Sequence, residues 1–272
     1  MMMNYIFESY SYQELWNIGW LFFIFLITFF YFYVTKKVAN RTSKGKAVSF
    51  VIGVWVFYVA VGSPLHLIGH NYLFSAHMLE QAIVYFVAPP LILIGLPNQL
   101  TKHPFISRLL SRGLLGVLSK PIIASLLFNG LFSLYHYPSL FDYLRLNHLY
   151  QSVYHLILTI LAFTMWLSIL HSKSNYELSE LKSLGYIFLN SVLITPVCAL
   201  IIFSNNVLYT TYINAPQLIS FLSIKDDQQL GGIVMKLVQE GVFISIIGIL
   251  FFRWAKKERK KENVEISNED AS

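Results

Sequence analysis

The chain is poor in groups that can do chemistry, and its eight histidines, His103 and His171 excepted, fall in two short stretches. "SPLHLIGHNYLFSAHMLEQ" carries His66, His70 and His77 together with Glu80, and "LYHYPSLFDYLRLNHLYQSVYH" carries His136, His148 and His155. A third segment, "KDDQQLGG", adds Asp226 and Asp227. Neutral imidazole is the commonest protein ligand for zinc, copper and iron. A carboxylate beside it completes such a site or orients a ligating ring through its other nitrogen. The competing reading is that amphipathic rings simply gather where a membrane meets water.

Spacing narrows the ligand candidates. His148 and His155 are seven residues apart, on one helical face but about 10 Å apart along it. They do not both reach one ion from a regular helix. A mononuclear site therefore draws one ligand from each of several helices, and His77, His136 and His155 with Asp227 near them are the candidate direct ligands. His66, His70, Glu80 and His148 are candidates for the entrance or for supporting contacts. His77 shares a face with Glu80 and Gln81, at spacings of three and four. Cys198 is the single cysteine, which excludes an intramolecular disulfide and any paired-thiolate metal motif. No residue declares itself as catalytic, and the chain reads as something other than an enzyme.

The elements that must position these groups are set by composition. Hydrophobic residues are 56% of the chain and charged residues 12%, about half the charge of an ordinary soluble domain. Apolar runs near 20 residues long suit helices that cross a bilayer, since lipid leaves every backbone group to be satisfied within the chain. Seven such runs are expected, over residues 15–34, 47–66, 74–96, 121–137, 148–170, 183–203 and 230–255. The fold class is thus all-α and polytopic, one seven-helix domain over residues 1–255. A basic, then polar tail from 256 to 272 is expected to lack fixed structure. The first run is expected to stay in place, because "MMMNYIFESYSYQE" offers neither the basic start nor the small-residue site of a cleaved signal.

Of the twenty Lys and Arg residues, all but Arg145, Lys225 and Lys236 fall on one side of this arrangement. Short loops rich in Lys and Arg stay cytoplasmic. The N-terminus is therefore expected outside, the C-terminus in the cytoplasm and the two histidine stretches at the outer face. The net charge of +6 is explained by this asymmetry and by "RWAKKERKK" lying against anionic headgroups, with no call for nucleic acid. "GVFIS" is a small-residue pattern of the sort found between helices, but it leaves the oligomeric state open.

Taken in order, "SPLHLIGH", "FSAHMLEQ", "APPLILIGLP", "YHYP", His155 eleven residues before Trp166, and "DQQLGG" resemble the CtaG-like cytochrome c oxidase assembly factors. The resemblance runs from the second helix to the seventh. It falls on His77, Met78, Pro89, Pro90, His136, Pro138, His155, Asp227 and Gly231. It implies a multi-pass cell-membrane protein that assists maturation of the oxidase, with a copper ion passed to its catalytic subunits as partners. One position departs: many members carry a second His four after the first of "HM", and here it is Gln81. A metal-free scaffold for oxidase subunits, a haem-handling protein and a metal-dependent membrane enzyme are the alternatives. An extracytoplasmic reporter fused after Asn71 or Leu146 is expected to be active, and one fused after Arg112 inactive. The reverse would put the histidines on the cytoplasmic side.

Overall fold

The computed structural model describes residues 9–38, 43–97, 99, 113–118, 120–170 and 178–269. His103, His171 and the loop cations Arg41, Lys102, Arg108, Arg112 and Lys173 lie outside the described residues. Among the described residues the structure is helical, with no strand. The principal elements are α1 (Ile18–Val38), α2 (Lys44–Gly62), α3 (Pro64–Asn71), α4 (Phe74–Gly95) and α5 (Pro121–Tyr135). They are followed by α6 (Pro138–Arg145), α7 (His148–Leu170), α8 (Glu180–Ile202) and α9 (Ile224–Glu269).

Six of these, α1, α2, α4, α7, α8 and α9, are long and apolar enough to cross a membrane. The protein is a multi-pass membrane protein. The remaining apolar helix, α5, has 15 residues and rises about 22 Å, less than the roughly 30 Å of a hydrocarbon core. Its brevity has a local cause. The helix closes at Tyr135, and Pro138 starts α6 from its first turn, where a missing N–H is harmless.

The same device corrects the second expected span. That helix does not run to His66; it stops at Gly62, and Ser63 takes an extended conformation before Pro64. The Ser63 hydroxyl accepts from the Leu65 amide and donates to the Val59 carbonyl, serving both helix ends. His66 and His70 therefore sit one turn apart on the separate short helix α3. At the other end of the chain α9 continues to Glu269, where an unstructured tail from 256 was expected. Lys, Arg and Glu are good helix formers, and Lys257 pairs with Glu180 at the start of α8.

α4 is the centre of the bundle. In its most apolar stretch 67% of residues are buried, against 17% in α1, which lies at the edge. Within α4 the backbone widens into a π turn over Ile83–Val87, just before Pro89 and Pro90. Pro89 has no N–H to return to the Tyr85 carbonyl, and the Trp166 indole from α7 donates to that carbonyl instead at 2.9 Å. Aromatic side chains fill the space around it, among them Tyr85, Phe86, Phe128, Phe132 and Phe243, all essentially inaccessible.

α3 lies directly on the start of α4, because Gly69 has no side chain. A Cβ there would stand 2.7 Å from the His77 amide nitrogen and 2.9 Å from its Cα, both backbone atoms that cannot give way. Gly69→Ala is expected to cost about 1–3 kcal/mol, the usual penalty of overpacking. Gly130→Ala, where a Cβ meets nothing within 4 Å, should cost nothing. Reversible unfolding of both variants in mixed micelles checks the contrast.

Candidate histidine cavity

A cavity of about 400 Å³ opens at the end of the bundle that carries α3 and α6. Its polar wall comes from His66 and His70 on α3, His77, Glu80 and Gln81 on α4, and His148 and His155 on α7. Two levels can be distinguished. At the mouth, the His70 ring lies 5.3 Å from that of His148 and 6.1 Å from that of His66, centroid to centroid. At the floor, His77 and His155 lie 6.0 Å apart with their rings nearly perpendicular.

Three of the four floor nitrogens are already engaged. His155 bonds the Tyr85 hydroxyl through Nδ1 at 2.7 Å and the Tyr135 hydroxyl through Nε2 at 3.1 Å. The same Tyr135 hydroxyl stands 3.3 Å from His77 Nε2, and Gln81 Nε2 is 2.8 Å from that atom. Gln81, His77, Tyr135, His155 and Tyr85 thus form one continuous hydrogen-bonded chain across three helices. Gln81 acts here as a partner of His77. Tyr85 and Tyr135 were missed from the sequence, although His77, Gln81 and Tyr85 recur every four residues on one face of α4.

The mouth is different. Among the described residues the His70 and His148 rings make no hydrogen bond. Burial, aided by the Arg145 guanidinium and then by His66 and His148, pushes the His70 pKa down to about 4. His70 is therefore neutral and keeps a lone pair for a ligand. Arg145 is fixed there by donating to the His70 carbonyl and by lying 4.6 Å over the Tyr212 ring. His66 goes the other way. Its Nδ1 is 2.8 Å from Glu80 Oε1, and that bond outweighs burial and raises its pKa.

Two expected ligands lie elsewhere. The His136 ring is fully buried outside the cavity, with Nδ1 bonded to the Phe132 carbonyl and the ring packed on Phe132 and Phe141. Asp227 does not hang over the histidines. It caps α4, accepting from the Phe74 amide at 2.7 Å, the Ser75 amide at 3.3 Å and the Ser75 hydroxyl. A carboxylate suits that place, since the first amides of a helix have no partner within it and carry its positive dipole end. The rest of "DQQLGG" is structural as well. Gln228 accepts from the Leu208 and Tyr209 amides and Gln229 donates to the Ser204 carbonyl. At Gly231 a Cβ would come within 2.6 Å of the Phe74 ring.

No three His, Cys, Asp or Glu side chains among the described residues form a group able to hold a metal ion. The cavity offers pairs of imidazoles, the mouth pair unengaged and the floor pair bonded to Tyr85, Tyr135 and Gln81 through both nitrogens of His155 and Nε2 of His77. Fold and site together define a multi-pass, all-helical membrane protein with a histidine-lined chamber at one end. Residues 29–257 match the cytochrome c oxidase caa3 assembly factor family (Caa3_CtaG), and the chain belongs to that family. No curated protein and no solved structure matches it.

The raised pKa of His66 sets the sign of a pH effect. A group whose folded pKa lies above its unfolded value stabilises fully below the unfolded value and loses that contribution as pH rises through the folded one. The His66–Glu80 contact should therefore weaken as pH rises through the raised His66 value. Glu80→Gln should lower the His66 titration, followed by NMR of labelled imidazole, to below the free-imidazole value of about 6.5, because burial and the Arg145 charge then act unopposed. An unchanged His66 titration in that variant would show that Glu80 does not hold the proton there.

Proposed function

We propose that this assembly factor passes copper to the oxidase through the histidine cavity, as cargo held briefly and not as a resident cofactor. The observation that carries the reading is the pair His70 and His148, two unengaged rings 5.3 Å apart at the mouth. Imidazole nitrogens bind such ions at about 2 Å, so one ion between the two rings needs only small rotations. Two ligands are too few for tight storage, which suits a protein that must release its metal. His66 stands beside them as an entrance group. His77 and His155 accept the ion only when Tyr85, Tyr135 and Gln81 let go. The cavity is assigned to the outer face on the positive-inside pattern of the loops, and the oxidase catalytic subunits are the recipients. The protein acts on metal-centre maturation without being an enzyme.

A metal-free scaffold is the second reading. Its support is the floor, where every contact of His155 and the engaged nitrogen of His77 is made within the protein. The two readings part on a measurement. Replacing His70 and His148 together by Ala should weaken Cu(I) binding, read by competition with a chelator, by at least about tenfold, the scale on which even a supporting partner of a ligand matters. The same variant should leave oxidase polypeptides in the membrane with low oxidase activity under copper limitation. Full activity there, with Cu(I) affinity lost, would favour the scaffold.

A further inference from the structure

The histidine cavity has an apolar neighbour that copper transfer does not use. A groove of about 350 Å³ runs between α1, α2, α4 and α7, walled by Ile24 and Ile27, Phe50 and Val54, Ile92 and Phe163. Trp20, Phe57 and Thr159 line both spaces, and the Trp20 and Phe57 rings meet edge to face at 5.9 Å. Thr159 is the groove's one polar side chain, and its hydroxyl is spent on the His155 carbonyl at 2.7 Å. The walls therefore offer hydrocarbon and nothing to bond a polar group. On the other side of the shared residues, Gln151, Ser152 and the imidazoles offer donors and acceptors.

We propose that the cavity and the groove together bind an amphipathic lipid with an uncharged, hydrogen-bonding head and one hydrocarbon chain. The head lies among the histidines, and the chain passes Trp20, Phe57 and Thr159 into the groove. Charge selects the head. The cavity's carboxylate, Glu80, is already joined to His66. Arg145, the nearest guanidinium, is committed to the His70 carbonyl and to the faces of Phe141 and Tyr212 and does not line the space. Among the described residues a phosphate headgroup thus finds no Lys or Arg lining the space, whereas hydroxyl and carbonyl groups find imidazoles and amides in both roles. Trp20, Phe57 and Thr159 border both spaces, and the proposed chain runs past them from one to the other. α1, the least buried of the long helices, is the wall through which such a molecule enters from the bilayer. The shared chemistry fits a prenylated quinone and a monoacylglycerol equally. The inference rests on the two sets of walls and is independent of copper.

The test uses the full chain in phosphatidylcholine nanodiscs with three photoactivatable probes, each carrying a diazirine in its chain: a prenylquinone, a monoacylglycerol and phosphatidylcholine itself. One of the two uncharged probes is expected to label α1 or α2 at groove positions saturably, and its unlabelled form to compete. Which of them does so identifies the source. Thr159→Trp and Ile27→Trp, which fill the passage and the groove from opposite walls, should each lower that labelling by about tenfold or more, since a filled pocket excludes its ligand. Labelling at Phe188, exposed on α8, should not change, which shows that the variants remain folded and embedded. The proposal is overturned if neither uncharged probe saturates in the unaltered protein. It is equally overturned if the phosphatidylcholine probe labels the groove as strongly, or if both folded variants label as before.

Discussion

The carboxylate of Asp227 at the start of α4 is the contact on which the rest of this bundle depends. It binds two backbone amides and a hydroxyl of a helix more than 150 positions away in the chain, and it is 4% exposed. Hydrogen bonds to a charged acceptor contribute about 1.5–3 kcal/mol each, and leaving such donors buried without a partner costs as much again. The position matters as much as the strength. The cap fixes where α4 begins, and His77, Glu80, Gln81 and Tyr85 then follow at fixed heights along it. Gly231 keeps α9 close enough to α4 for Asp227 to reach, Gly232 lets α9 lie against Ile201 and Ile202 of α8, and Gln228 and Gln229 tie the loop over residues 204–209 to the same helix.

A second constraint works from within α4. The prolines that widen it into a π turn leave the Tyr85 carbonyl unpaired, and Trp166 takes it up. The same tyrosine gives its hydroxyl to His155. One residue thus joins α4 to α7 twice, once through its backbone below and once through its side chain at the cavity floor. π turns of this sort are often found at functional sites, where an extra residue per turn re-aims side chains. Here the consequence is a floor in which imidazoles from two helices meet on one tyrosine hydroxyl, that of Tyr135.

Much of this was legible in the sequence. The long apolar runs, the helical class and the gathering of six histidines at one end follow from composition and spacing, because lipid admits few alternatives to helices. The break before Pro64 was also written there, in a Ser followed by Pro, but the hydropathy of the run overrode it. What could not be read was the side of a helix on which a polar group ends. His136 has the same local look as His155, yet it closes α5 with its ring turned onto Phe132 and Phe141. Asp227 looked like a ligand because a carboxylate near histidines suggests one, and a helix N-terminus 150 residues away leaves no mark in its surroundings. Conversely, His70 and His148 were assigned to the entrance, and they are the rings left without hydrogen bonds.

The contrast between His66 and His70 shows how one helix turn supports two different tasks. They are four residues apart and their rings lie 6.1 Å from each other, yet a carboxylate raises the proton affinity of the first while burial and a guanidinium lower that of the second. A proton and a soft metal ion compete for the same lone pair. The proton is therefore held more readily at His66 than at His70, one turn further along α3. Because Glu80 belongs to α4, the helix capped by Asp227, that division of roles is held by the same contact that sets the height of the floor. At the mouth a ring paired with a carboxylate thus stands beside two rings without hydrogen bonds, and the floor below is joined to Tyr85, Tyr135 and Gln81.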